Sequence, residues 1–195
     1  MTTSPDTVQQ NVKDIFALYD LHGDEDYGEG VTQLMHMVQA AKLAQQEGYD
    51  EEMILAAFFH DIGHFLEDGE EMGIYGKRDH DRIGSEYLQS KGFSPELARL
   101  VASHVPTKRY LTYADKNYFD NLSAASKKTL EFQGGPMTAD EAAAYAADPL
   151  IDSYIKIRYW DDQAKEIDCP VDPADVKMIR QMTLDYLTLR SLSQS

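Results

Sequence analysis

The stretch Met53-Ile54-Leu55-Ala56-Ala57-Phe58-Phe59-His60-Asp61-Ile62-Gly63-His64-Phe65 constrains this chain more than any other. An unbroken apolar run opened by Glu51 and Glu52 predicts a helix over 51–66 that is apolar almost all round, and therefore central and buried. Two histidines and a carboxylate interrupt it. Burying a neutral polar group without a partner costs roughly 2–7 kcal/mol, so these side chains must be satisfied inside the protein. On a continuous helix, residues four apart share a face and neighbours diverge by about 100°, which would turn His60 and His64 one way and Asp61 sideways. Imidazoles and a carboxylate so grouped suit a metal ion.

The rest of the chain shows helical periodicity. Apolar residues recur at three-to-four spacing over 8–21 (Val12, Ile15, Phe16, Tyr19) and over 31–46 (Val31, Leu34, Met35, Val38, Ala41, Ala44), where His36 borders the apolar stripe and Gly48 ends the pattern. The acidic, glycine-bearing residues 24–30 read as a loop, and 67–82 as an exposed charged loop. Two short helices are expected over 83–89 and 95–103, the second opened by Ser94 as N-cap and Pro95. Pro106 should hold Val105 extended, placing His104 at or near a helix C-terminus. Further helices are expected over 118–132, from the capping box Thr138 to Glu141 as far as Ala147, over 149–165 and over 173–192. No strand candidate or internal repeat emerges. At 195 residues the expectation is one all-α domain spanning 1–195.

Lys plus Arg total 18 against 34 Asp plus Glu, a net charge of -16, which argues against nucleic acid or an anionic membrane surface as a partner. An anionic substrate would need a local cationic cluster, metal ions included, to override that field. The lone Cys169 excludes an intrachain disulfide. With no basic-then-apolar leader and no apolar run of bilayer length, the expected location is cytoplasmic.

Five of the histidines, His36, His60, His64, His80 and His104, fall between residues 36 and 104. Imidazole and carboxylate without thiolate suit iron, manganese, zinc, cobalt or nickel. Of the two His-Asp dipeptides, His60-Asp61 is embedded in apolar sequence and needs internal partners. His80-Asp81 lies in a run of charges where water can solvate it.

This pattern resembles the HD-domain metalloprotein superfamily, in which a histidine, a later His-Asp pair and a distant aspartate bind metal on an all-α scaffold. The resemblance covers about residues 26–165. It implies one metal on His36, His60, Asp61 and Asp161, and a second on His80, His104 and the same bridging Asp61. On the residues alone, Asp162 competes with Asp161. Most HD proteins are phosphohydrolases, and a metal-dependent phosphohydrolase is the alternative reading. Gln33-Leu34-Met35-His36, His60 to His64, His104 with Lys108, and Arg158 with Trp160-Asp161-Asp162 are more similar to the mixed-valent di-iron oxygenases that cleave the carbon-phosphorus bond of 1-hydroxyphosphonates. Myo-inositol oxygenase is a more distant relative with the same site.

The resemblance implies two iron ions, Fe(II)/Fe(III), with O2 and a small zwitterionic phosphonate as partners. The expected substrate is (R)-1-hydroxy-2-(trimethylammonio)ethylphosphonate, giving glycine betaine and phosphate, or the 2-amino analogue, giving glycine. Matching positions assign Lys108, Ser126, Arg158 and His64 to the phosphonate. The lid of the aminoethyl-type enzymes has a tyrosine, two residues, then glutamate. Here Glu29 keeps its place, Asp26 stands in the tyrosine's position and Tyr27 follows it. Asp26, Tyr27 and Glu29, with nearby tyrosines such as Tyr75 and Tyr110, are expected around the ammonium, each cation-π contact contributing about 0.5–2 kcal/mol. Asp61, His64 and Glu29 are the expected catalytic residues.

Overall fold

The computed structural model describes residues 4–28, 30–66, 69–73 and 76–193, so that Glu29 and Tyr75 lie outside the described residues. Helix α1 (Pro5–His22) starts where the Ser4 hydroxyl accepts the Thr7 N–H, and Pro5 occupies a position that needs no donor. The acidic segment expected to be a loop is in part a hairpin: β1 (Asp26–Gly28) pairs antiparallel with β2 (Val31–Thr32) around Gly30, whose φ of +85° few other residues adopt. Strands this short carry too little alternation to be read from sequence.

Thr32 caps α2 (Gln33–Gln46) and Asp50 caps α3 (Glu51–Phe59). Every residue of α3 from Met53 onward is buried, and each such phenylalanine contributes about 1.5–3 kcal/mol. Tyr19 stacks on Phe58 at 4.8 Å between ring centroids, which fixes α1 against α3.

The helix expected to run to residue 66 stops at Phe59. His60 Nδ1 donates to the Ala57 carbonyl at 2.7 Å, the acceptor that the Asp61 N–H would have used in a continuing helix. His60 and Asp61 therefore form a turn, followed by a single 3-10 turn over Ile62–Phe65. His60 and His64 do not share a face of one helix, which corrects the geometry expected from spacing.

Helices α4 (His80–Ser90), α5 (Pro95–Val101) and α6 (His104–Ala114) follow. His80 and Asp81, expected in a solvated loop, are buried at the start of α4. His104 opens a helix where the sequence predicted a helix end. Pro106 sits in the first turn of α6, where an N–H has no intrahelical acceptor, so Val105 is helical. The helix expected over 118–132 is two, α7 (Lys116–Asn121) and α8 (Ala124–Phe132), because the Ser123 hydroxyl accepts the Ser126 N–H and starts a new one. The capping box at Thr138 and Glu141 forms as expected and opens α9 (Ala139–Ala146).

Last come α10 (Ile151–Gln163) and α11 (Pro173–Ser193). Trp160, fully buried, donates its indole N–H to Glu47 at 2.9 Å and packs edge-on against Tyr49, pinning α10 to the connection between α2 and α3. That contact sets where Asp161 points. Among the described residues no helix is long and apolar enough to cross a membrane. The result is the single all-α domain expected, with one small hairpin added.

Candidate metal centre

The first turn of α2, the turn after α3, the starts of α4 and α6, and the last turn of α10 bring His36, His60, Asp61, His80, His104 and Asp161 together, all buried. Each imidazole is oriented by a backbone carbonyl. His36 Nδ1 donates to Ala164 at 2.8 Å, His60 Nδ1 to Ala57 at 2.7 Å, His80 Nδ1 to Lys77 at 2.5 Å and His104 Nδ1 to Val101 at 3.0 Å. A carbonyl only accepts, so each ring carries a proton on Nδ1 and turns Nε2 inward, where its lone pair is available to a metal once any second proton has left. The Nε2 atoms nevertheless stand 3.0 Å apart in the pair His36 and His60, and 2.7 Å apart in the pair His80 and His104. Two lone pairs that close, away from water, repel unless a cation lies beside them. The donor set therefore fits a metal at each pair, with carbonyls fixing the tautomers from behind.

The Asp61 carboxylate divides between the pairs. Its Oδ2 lies 3.5 Å from His36 Nε2 and 3.4 Å from His60 Nε2, while Oδ1 lies 3.3 Å from His80 Nε2 and 3.1 Å from His104 Nε2. Asp161 joins the first pair only, with Oδ1 3.5 Å from His36 Nε2 and 4.0 Å from His60 Nε2. Asp162, its sequence rival, turns to Arg158 and Tyr118 instead. Burial alone would raise the Asp61 carboxyl, but the surrounding imidazoles, His60 first, hold it well below the ordinary carboxylate range. Burial would likewise lower His36, and Asp161 with Asp61 overrides it, raising the imidazole to about 9. Protons and a metal ion compete for the same electron pairs.

Gly63 explains how α4 reaches the site. A Cβ built there would lie 1.9 Å from the His80 carbonyl oxygen, and one built on Gly84 would lie 3.0 Å from the Gly63 nitrogen. Only glycines let the two backbones approach closely enough to put His80 against Asp61.

His64 lies near Asp61 and His80, and its ring stacks on His80 at 3.9 Å. Its chemistry differs from that of the other four. His64 Nδ1 accepts the Lys77 N–H at 3.2 Å, so in the neutral ring the proton is on Nε2. Burial and the neighbouring His80 keep it neutral by holding its pKa well below the usual value. His64 thus offers a donor, with no lone pair left over. Gly76, at φ +74°, makes room for this ring: a Cβ there would lie 2.6 Å from it.

A cationic wall adjoins the centre. Lys108 lies one helical turn after His104 on α6, and its ammonium donates to Thr129 Oγ1 at 2.9 Å. Burial and then Arg158 push Lys108 down to about 7. Arg158, also buried, forms an ion pair through Nη1 with Asp161 Oδ2 at 2.7 Å. Ser126 is buried on α8, and the Thr129 hydroxyl donates to its carbonyl at 3.1 Å. On the other side, the Tyr27 ring stacks on His36 at 3.9 Å and its hydroxyl reaches Asp161 Oδ1 at 3.4 Å. Asp26 and Tyr27 line a cavity of about 560 Å³ with His64, Gln33, Glu25 and Glu71. Tyr110 is not among its lining residues and pairs with Tyr145. Sequence reasoning left out Tyr118, which carries no spacing signal, and quoted Gln33 and Asp162 within motifs without giving either a role of its own.

The five-helix convergence around a shared aspartate defines a helical, metal-binding hydrolase-or-oxygenase scaffold, and the chain belongs to the HD-domain family, whose pattern it matches over residues 34–150. Asp161 lies beyond that match. Its relatives narrow the class. The chain is 39% identical, over 85% of its own length and 88% of the relative's, to the [1-hydroxy-2-(trimethylamino)ethyl]phosphonate dioxygenase (glycine-betaine-forming) of Leisingera caerulea. It is 40% identical to the hydroxymethylphosphonate dioxygenase of Gimesia maris over 82% of this chain and 80% of the relative. An uncharacterised protein of Acanthamoeba polyphaga mimivirus is 41% identical over 92% and 83% of the two lengths.

Proposed function

We propose that this protein is a di-iron oxygenase that cleaves the carbon-phosphorus bond of (R)-1-hydroxy-2-(trimethylammonio)ethylphosphonate, yielding glycine betaine and phosphate. The chain is an O2-dependent oxygenase of the phosphonate-cleaving kind, as its named relatives are. One observation carries the binuclear reading: the two oxygens of Asp61 face two separate imidazole pairs, each with its lone pairs inward. His36, His60, Asp61 and Asp161 would hold one ion, and His80, His104 and Asp61 the other. An Fe(II)/Fe(III) pair bound there would activate O2 and polarise the substrate's hydroxyl and phosphonate oxygens.

The chain's own residues then bind and orient. Lys108 and Arg158 would meet the phosphonate as charge-assisted donors, joined by Ser126, and His64 would add its Nε2–H. The carboxylates of Glu25, Asp26 and Glu71 and the Tyr27 phenol line the adjoining cavity, which suits a quaternary ammonium that donates no classical hydrogen bond. Glu29, outside the described residues, keeps its expected part in ammonium recognition on the resemblance alone. The overall reaction balances with one O2 per bond broken: carbon 1 gains one oxygen and becomes the carboxylate, phosphorus gains the other, and the substrate supplies the electrons.

The test is iron-loaded protein incubated with the trimethylammonio, amino and unsubstituted hydroxyphosphonates while O2 uptake and phosphate are followed. Stoichiometric uptake and release, fastest with the trimethylammonio compound, is expected. Phosphate released from a phosphate ester without O2 would instead establish the phosphohydrolase alternative.

A further inference from the structure

We propose that Asp162 and Tyr118 are positioning residues that aim the Arg158 guanidinium, selecting which of its N–H groups face the substrate's phosphonate. The inference rests on the phosphonate-cleaving reading above. Arg158 and Asp162 stand four residues apart on α10, and the guanidinium donates to Asp162 through both Nε, at 3.1 Å, and Nη2. The third nitrogen, Nη1, forms an ion pair with Asp161 Oδ2 at 2.7 Å. A guanidinium has five N–H donors. Two of them, on Nε and Nη2, are taken by Asp162, which leaves the three others on the terminal nitrogens, the groups that bidentate recognition of a phosphonate uses.

Asp162 is itself held. The Tyr118 hydroxyl, from α7, donates to Asp162 Oδ2 at 2.6 Å. Both side chains line a second cavity of about 430 Å³, separate from the one beside His64. Tyr118 and Asp162 thus form the outer wall of the arginine site. Without the phenol, water from that cavity would compete for the carboxylate and free the guanidinium to turn.

Tyr118→Phe removes the brace and keeps the ring. In iron-loaded protein we expect KM for the hydroxyphosphonate to rise by about 3–10-fold, and the inhibition constant for inorganic phosphate to rise by the same factor. KM for O2, iron content and melting temperature should stay at wild-type values. Asp162→Asn, which also weakens the direct contact, should move both constants further in the same direction. An unchanged phosphate inhibition constant in both variants, or a loss of activity accounted for by lost iron, would overturn the proposal. If the wild type releases phosphate from no hydroxyphosphonate, the oxygenase reading fails, and phosphate affinity measured by calorimetry on wild type and variants still decides whether the pair positions Arg158.

Discussion

The two halves of the site share Asp61 and are built in opposite ways. In the half made by His80 and His104, each Nδ1 is held by a carbonyl three residues earlier in the chain, Lys77 and Val101. That geometry is local, and His60 with Ala57 repeats it in the other half. The other half depends on the whole fold: His36 is held by Ala164, across 128 residues, and Asp161 arrives on a helix positioned by Trp160. His36 and His60 are completely buried, while His80 retains 6% exposure and stacks on the cavity-lining His64. One half is a fixed anchor set in the core. The other borders the cavity through His64.

The largest expected effect comes from the residue the halves share. Asp61→Ala should abolish binding of both ions and all O2-dependent phosphate release, whereas His80→Ala should remove one ion and His36→Ala one ion together with stability. The stability difference is the sharper reading. His36→Ala strands the Ala164 carbonyl in the core, a cost of about 1–3 kcal/mol, and each kcal/mol should lower Tm of the metal-free protein by about 2–4 °C. Equal metal loss and equal Tm in the two histidine variants would erase the distinction between anchor and rim.

Next in size, Gly63→Ala should force α4 away from the turn after α3, at the upper end of the about 1–3 kcal/mol typical of overpacking. Because that contact serves His80 alone, iron titration should show one site weakened and the other intact. Loss of both sites in parallel would mean that the halves are not independent.

The smallest effect is a pH dependence. Lys108, held near 7 by burial and Arg158, is charged below that pH and neutral above it. An anionic phosphonate binds the charged form, so KM should rise as pH increases through about 7, approaching tenfold per unit. Lys108→Met should raise KM and flatten this limb. A slope that persists in the variant would assign the titration elsewhere.

The sequence by itself determined the class of fold and most of the helix positions, and the resemblance its motifs carry proposed a ligand set. Met53 to Phe59 demanded a buried helix, and the polar trio behind it demanded compensation, because both follow from local composition and the cost of burial. Tertiary structure decided what local rules do not contain. It ended α3 at Phe59 by giving the Ala57 carbonyl to His60. It buried His80 and Asp81, which lie in a run of charges, because two glycines let α4 come within backbone contact of Asp61. It also separated His64 from the other histidines by handing it a backbone N–H where they received carbonyls. Which atom of a histidine carries the proton depends on the partner behind it, and that partner is chosen by how the helices pack.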